Sequence, residues 1–169
     1  MNKKKSVYPG SFDPITKGHI NLIERALNLY DEVIIGVLDN PNKKTWFTPA
    51  ERVEMIEKIF SDKKYKGKLE VKSFKGLLID FMEDNDVNIT IRGLRAVSDY
   101  EYELQMSLTN NAISSKKLET IFLAATRDNL YLSSSIVKEI ALNNGDISLF
   151  VDEKIKNVVQ KRGIQKREE

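Results

Sequence analysis

The chain contains one histidine and no cysteine, so any chemistry that needs an imidazole falls on His19. That residue ends the run Gly10-Ser11-Phe12-Asp13-Pro14-Ile15-Thr16-Lys17-Gly18-His19, which follows a short β-type segment and leads into a helical pattern. Gly10 permits a tight turn with backbone close to a ligand. Gly18 leaves no side chain in the way of the helix start, where free N–H groups and the helix dipole favour an anion. Taken alone, His19 either packs and helps cap that helix or faces a ligand. Thr16 and Gly18 at this spacing favour the ligand. The run has neither P-loop spacing nor a GxGxxG fingerprint, which sets those two phosphate sites aside.

Three other groups could join it. Lys43 and Lys44 sit between Asn42 and Thr45 in a loop after the second predicted strand. Two lysines in a loop are ordinarily solvated charge, but this loop leaves the strand next to the first one. Arg92 and Arg95, with Gly93 between, follow the fourth apolar run; each either serves a structural ion pair or awaits an anion. Ser133-Ser134-Ser135 opens a helix, where one serine suffices as the N-cap and three hydroxyls plus free N–H groups make an anion site. On a long helical segment, Tyr100, Leu104 and Leu108 share a face that reads as core, while Glu103, Met106 and Asn110 share another that by itself reads as a solvated or subunit-facing stripe. Cations and helix starts converging on one place favour phosphate.

The elements that must position these residues alternate regularly. Ser6–Tyr8 reads as a first strand stopped by Pro9-Gly10, and Ile23, Ala26, Leu27 and Tyr30 follow with helical spacing. Val33–Leu38 is an unbroken apolar run, the pattern of a strand covered on both faces. Thr48-Pro49-Ala50-Glu51 predicts a capping box, with Val53, Ile56 and Phe60 facing inward. Strands at Leu69–Phe74, Val87–Ile91 and Ile121–Ala124 alternate with helices at Leu77–Met82 and Ser98–Ser114, the latter with a second capping box, Ser98 and Glu101. Helices at Ser134–Asn143 and Val151–Arg162 close the chain. Repeated strand–helix units predict an α/β fold, a Rossmann-like doubly wound parallel five-stranded sheet with C-terminal helices. Residues 1–164 form one domain in this reading, with 165–169 a disordered tail. Ligands of such sheets lie beyond the carboxyl ends of the strands where the topology switches, which is where the candidate residues fall.

Composition narrows the chemistry. At 169 residues, 41% hydrophobic and 31% charged, the chain can bury a sizeable core as one soluble domain. Disulfides, zinc fingers, iron–sulfur clusters, thiol nucleophiles and multi-histidine metal centres are excluded. Any metal would be hard and oxygen-bound, such as Mg²⁺ arriving with a substrate phosphate. A net charge of +2 does not argue for nucleic acid, although Lys3–Lys5 and Lys154–Arg167 are locally basic. No apolar run is long enough for a membrane. Lys3–Lys5 resembles a signal-peptide start, but Pro9, Gly10 and Asp13 follow where its apolar region should be, so a cytoplasmic protein is expected.

Thr16-x-Gly18-His19 after a strand resembles the HxGH motif of the nucleotidyltransferase superfamily, with threonine in first place. Four blocks in order resemble one family, the bacterial phosphopantetheine adenylyltransferases. These are Tyr8-Pro9-Gly10-Ser11-Phe12-Asp13-Pro14 with Thr16 and Gly18-His19, Ile91-Arg92-Gly93-Leu94-Arg95, Asp99-Tyr100-Glu101-Tyr102-Glu103, and Ser133-Ser134-Ser135 with Val137-Lys138-Glu139. The similarity runs from about Lys5 to Arg162. It implies that the chain joins the adenylyl group of ATP to 4′-phosphopantetheine, giving dephospho-coenzyme A and pyrophosphate, with Mg²⁺ carried on substrate phosphates. It assigns His19, Lys43 and Arg92 to catalysis. Ser11, Lys43, Leu78, Arg92 and Asn110 would contact phosphopantetheine; Ser11, Phe12, His19, Gly93, Leu94, Arg95, Glu103, Ser133, Ser134 and Ser135 would contact ATP. A homohexamer and feedback by coenzyme A are further implications.

The chain also departs from the family pattern. Asn111 stands where many relatives carry a basic residue, Ser11 replaces a frequent threonine while keeping the hydroxyl, and Arg127–Tyr131 match poorly. Competing readings are the same core acting on another acceptor, such as a nicotinate mononucleotide adenylyltransferase or a cytidylyltransferase, a non-catalytic nucleotide or coenzyme A sensor, and an RNA-binding module. The Arg92 and Tyr102-Glu103 blocks oppose the first, retention of His19 and Lys43 the second, and the near-neutral charge the third.

Overall fold

A computed structural model describes residues 3–41, 43–95 and 97–168, with the backbone alone at 97 and 98. The apolar run after Glu32 becomes β2 (Glu32–Leu38), with Val33, Ile34, Ile35 and Val37 all buried, as a strand covered on both faces requires. β1 (Lys5–Gly10) and β3 (Leu69–Phe74) pair with it in parallel, and β4 (Ile89–Leu94) and β5 (Glu119–Ala124) extend the sheet beyond β1. The order β3-β2-β1-β4-β5 is the doubly wound arrangement expected from the strand–helix alternation. β1 pairs with β2 along its whole length, from Lys5↔Glu32 to Gly10↔Val37. With β4 it shares a single register pair among the described residues, Val7↔Thr90. The two strands therefore part toward their carboxyl ends, and the sheet opens at its topological switch.

Alternation along β2 sends Val33, Ile35 and Val37 to one face and Ile34 to the other. The first face carries the larger core, where α1 (Lys17–Leu29), α2 (Pro49–Ile59), α5 (Ser134–Leu142) and α6 (Glu153–Glu168) bury Ile23, Ile56, Val137 and Ile155. The second carries a smaller core of Val7, Ile34, Ile79, Phe81, Met82, Val87 and Leu118 under α3 (Leu78–Asp84). The predicted box at α2 forms: Glu51 N donates to Thr48 Oγ1 at 3.3 Å and Thr48 N to Glu51 Oε2 at 2.7 Å. α5 and α6 touch so closely that a Cβ at Gly163 would lie 2.6 Å from the carbonyl of Ala141.

Several expectations are corrected. β1 continues through Pro9-Gly10, because Gly36 and Val37 still pair beside it and a strand end tolerates the missing N–H. β4 runs to Leu94, so Arg92 and Gly93 lie inside the strand and only Arg95 follows it. α4 (Val97–Ile113) starts one residue earlier than predicted, and the Ser98 side chain, hence that capping box, lies outside the described residues. Tyr100 and Leu108, read as core, are 44% and 63% exposed: Tyr100 meets the Phe122 ring of β5 edge-on at 6.2 Å, but the described residues leave much of that face of α4 open at the sheet's edge. α6 reaches Glu168 and takes in residues 165–168 of the expected tail, with Lys166 and Arg167 placed against the negative end of the helix dipole.

Candidate active site

His19 is the third residue of α1, and Thr16 is its N-cap. Thr16 Oγ1 accepts from His19 N at 3.4 Å, and Thr16 N donates to His19 Nδ1 at 3.0 Å. The imidazole thus closes a capping box in the place usually held by Glu or Gln. The capping role weighed from the sequence is observed, and the same ring also lines a cavity. Because Nδ1 accepts a backbone N–H, the neutral ring carries its proton on Nε2 and presents it as a donor. Burial first, and the nearby Arg95 guanidinium second, push the His19 pKa down to about 4. The ring is therefore a neutral donor at physiological pH. Phe12 packs edge-on against it at 5.2 Å, with its own backbone held at φ 48°. That conformation is uncommon for a bulky residue.

The first cavity, about 290 Å³, lies over the parting of β1 and β4. His19 and Phe12 form one wall, Gly93 and Arg95 another, and Ser133, Ser134 and Ser135 a third. Ser133 caps α5 by accepting from Ile136 N at 3.2 Å, while Ser134 Oγ donates to the Pro14 carbonyl at 2.8 Å. Ser135 is exposed at the cavity. The start of α5 is thereby tied to the loop that precedes His19. Arg95 is braced by Asp99 at 3.0 Å and by the Leu132 carbonyl at 3.2 Å. Leu94 is on neither cavity wall.

A second cavity, about 330 Å³, is lined by Leu78, Met106 and Asn110, together with Thr90 and Thr120. Ser11, Lys43, Arg92 and Glu103 line both cavities and form their common boundary. Lys43 Nζ donates to Ser11 Oγ at 3.4 Å. Arg92 grips Glu103 through two bonds, Nε–Oε2 at 2.5 Å and Nη2–Oε1 at 2.8 Å, and reaches the Pro9 carbonyl at 3.4 Å. The alternatives left open for Arg92, an ion pair or an anion site, therefore coincide: it is paired with Glu103 and also borders both cavities.

Sequence reasoning missed the supports of these loops. Arg52 is 1% exposed and donates to the carbonyls of Ser11 (2.6 Å), Leu38 (2.9 Å) and Phe47 (3.1 Å). Its signal was available, because it opens the buried stripe Arg52, Met55, Ile56, Ile59 at i, i+3, i+4, i+7, an odd place for a cation. Buried Asp13 and half-buried Lys138 form an ion pair at 3.0 Å. Both stand in blocks that carry the family resemblance, but nothing local in the sequence pairs them.

The ensemble presents cations, serine hydroxyls, helix-start N–H groups and a neutral imidazole donor around two adjoining cavities. Such preorganised donors stabilise charge on phosphoryl oxygens and require no protein nucleophile. A family model described as cytidylyltransferase-like matches residues 7–140. The phosphopantetheine adenylyltransferase of Alkaliphilus metalliredigens (strain QYMF) is 48% identical over 159 residues, covering 94% of this chain and 99% of its own. That of Clostridium perfringens (strain 13 / Type A) is 48% identical over 163 residues, covering 96% and 97%. Among solved structures, Plasmodium falciparum nicotinic acid mononucleotide adenylyltransferase complexed with NaAD superposes with a TM-score of 0.68 at 15% identity, over 98% of this chain and 96% of that one. At that identity the likeness shows the fold alone.

Proposed function

The chain belongs to the cytidylyltransferase-like family and, within it, to the phosphopantetheine adenylyltransferases, and from that membership we propose that it transfers the adenylyl group of ATP to 4′-phosphopantetheine in coenzyme A biosynthesis. The observation that carries the proposal is the boundary at Ser11, Lys43 and Arg92, where two cavities meet as two phosphates would have to meet. ATP occupies the first cavity, with its phosphates on His19, Arg95 and the serines of α5. Phe12 and Gly93 stand on the walls around it, while Leu94 lines neither cavity. The acceptor fills the second, its arm along Leu78 and Asn110 and its terminal phosphate at Ser11, Lys43 and Arg92.

In this reading the acceptor phosphate attacks the α-phosphorus in line and pyrophosphate leaves. Lys43 and the Nε2–H of His19 hold the oxygens that gain charge in the pentacovalent transition state. Glu103 orients Arg92 until the acceptor phosphate shares it. Mg²⁺ would arrive on the triphosphate and offset its charge there. Substrate phosphates would supply most of its ligands; among the described residues no group of three or more His, Cys, Asp and Glu side chains is placed to hold a metal. Glu103, the carboxylate on the first cavity, is engaged by Arg92.

The exposed apolar face of α4, with Tyr100 44% and Leu108 63% accessible, supports assembly with further copies, a homohexamer in this proposal. Coenzyme A, which shares both product halves, is the expected feedback ligand. Among the described residues no helix is long and apolar enough to cross a membrane; a cytoplasmic location is proposed from the enzyme family. The deciding experiment measures pyrophosphate release with ATP or CTP against phosphopantetheine and nicotinate mononucleotide. Turnover is expected with ATP and phosphopantetheine; a preference for another pair overturns the acceptor or donor assignment.

A further inference from the structure

Asp13 lies between the site's Phe12 and the N-cap Thr16 and is 2% exposed. Its Oδ1 accepts from the backbone N–H groups of Trp46 and Phe47, both at 3.0 Å. Its Oδ2 accepts from Trp46 N and from Lys138 Nζ, again both at 3.0 Å. Trp46 and Phe47 end the loop that presents Lys43, and Lys138 stands on α5, whose first turn carries the serines. Asp13 itself belongs to the loop that presents Ser11 and His19. One buried carboxylate therefore ties together three of the segments that carry phosphate-facing groups, the fourth being the end of β4 with Arg92 and Arg95.

We propose that Asp13 is a positioning residue that sets the spacing between Lys43, His19 and the serine-bearing start of α5, with Lys138 as its arm on α5. The catalytic part of this inference rests on the function proposed above. A buried carboxylate is retained only where donors compensate it, and here every donor belongs to a segment whose place matters to the site. Backbone N–H groups fix position more firmly than flexible side chains do. Asparagine has the same shape, but its NH₂ would face either the backbone donors or the Lys138 ammonium, and the negative charge that holds that ammonium in a largely buried place would be gone.

The test uses Asp13→Asn, Lys138→Met and the double variant, with three readouts: pyrophosphate-forming kcat and KM, melting temperature, and acrylamide quenching of Trp46. That residue is the chain's only tryptophan and is bound directly to Asp13. Asp13→Asn is expected to lower kcat about 10²-fold, the cost of a misplacement on the order of 1 Å, with a smaller change in KM for ATP. It is also expected to expose Trp46 to quencher. Adding Lys138→Met removes the stranded cation and should restore melting temperature while kcat stays low. Recovery of kcat together with melting temperature overturns the proposal, because the carboxylate would then serve only the fold. Unchanged kcat and quenching in Asp13→Asn overturn it too. Should Asp13→Asn not fold, Lys138→Met alone decides: lowered kcat supports the proposal and normal kcat overturns it. Should the wild type release no pyrophosphate with phosphopantetheine, the acceptor assignment falls separately. Trp46 quenching then decides for Asp13, greater exposure supporting its positioning role and unchanged exposure overturning it.

Discussion

His19 holds two jobs on one ring, and two substitutions separate them. His19→Ala loses both the donor and the cap, whereas His19→Gln keeps a side chain able to close the capping box with Thr16. Both variants should lose kcat by about 10²–10³-fold in a pyrophosphate-release assay, with a smaller effect on ATP affinity. Only the alanine variant should also lose about 1 kcal/mol of stability by urea titration. Near-normal turnover in either would remove His19 from the transition state. The depressed pKa of about 4 gives a second expectation. Between that value and the ordinary 6.5 the unfolded chain binds a proton that the folded chain refuses, so this contribution to stability is present above 6.5 and is lost as pH falls toward 4. The melting temperature of the wild type should therefore fall more steeply over that window than that of His19→Gln. The kcat/KM profile should show no histidine limb near 6.5. The candidate phosphate ligands were legible because their residue types are rare or clustered: a lone histidine, paired arginines, a triple serine. Asp13 was not, because an aspartate in a loop is ordinary until Trp46, Phe47 and Lys138 fold around it.

At the scale of elements, periodicity located the strands and helices but misjudged their ends. β1 outlasts Pro9 and β4 outlasts Ile91 because the parallel partner beside each continues, a contribution invisible to local propensity. α4 failed differently, since helical spacing identifies a stripe without saying whether the same chain covers it. The α5–α6 contact offers a measurable case of packing against propensity. Gly163→Ala gains about 1 kcal/mol of helix propensity but forces a methyl against the Ala141 backbone, at an overpacking cost of about 1–3 kcal/mol. A net loss of stability is expected, read as a lower urea midpoint; a higher midpoint would mean that the helices separate without strain.

For the molecule as a whole, the uncovered face of α4 predicts that one chain does not stay alone. Leu108→Glu, a charge placed where 63% of the residue is open, should lower the mass measured by sedimentation equilibrium toward that of a single copy. A wild type already sedimenting as one chain would refute the assembly. The parting of β1 from β4 has a consequence of another kind. With Val7↔Thr90 the one register pair between β1 and β4 among the described residues, the sheet falls into two panels, β3-β2-β1 and β4-β5, joined along a narrow seam. The proposed substrates lie across that seam and would act as the rungs it lacks. Amide hydrogen exchange should therefore slow on saturation with nucleotide, and most of all at the carboxyl-terminal halves of these two strands. The catalyst and the hinge would then be the same few residues, and turnover would be a cycle of stitching and unpicking the sheet.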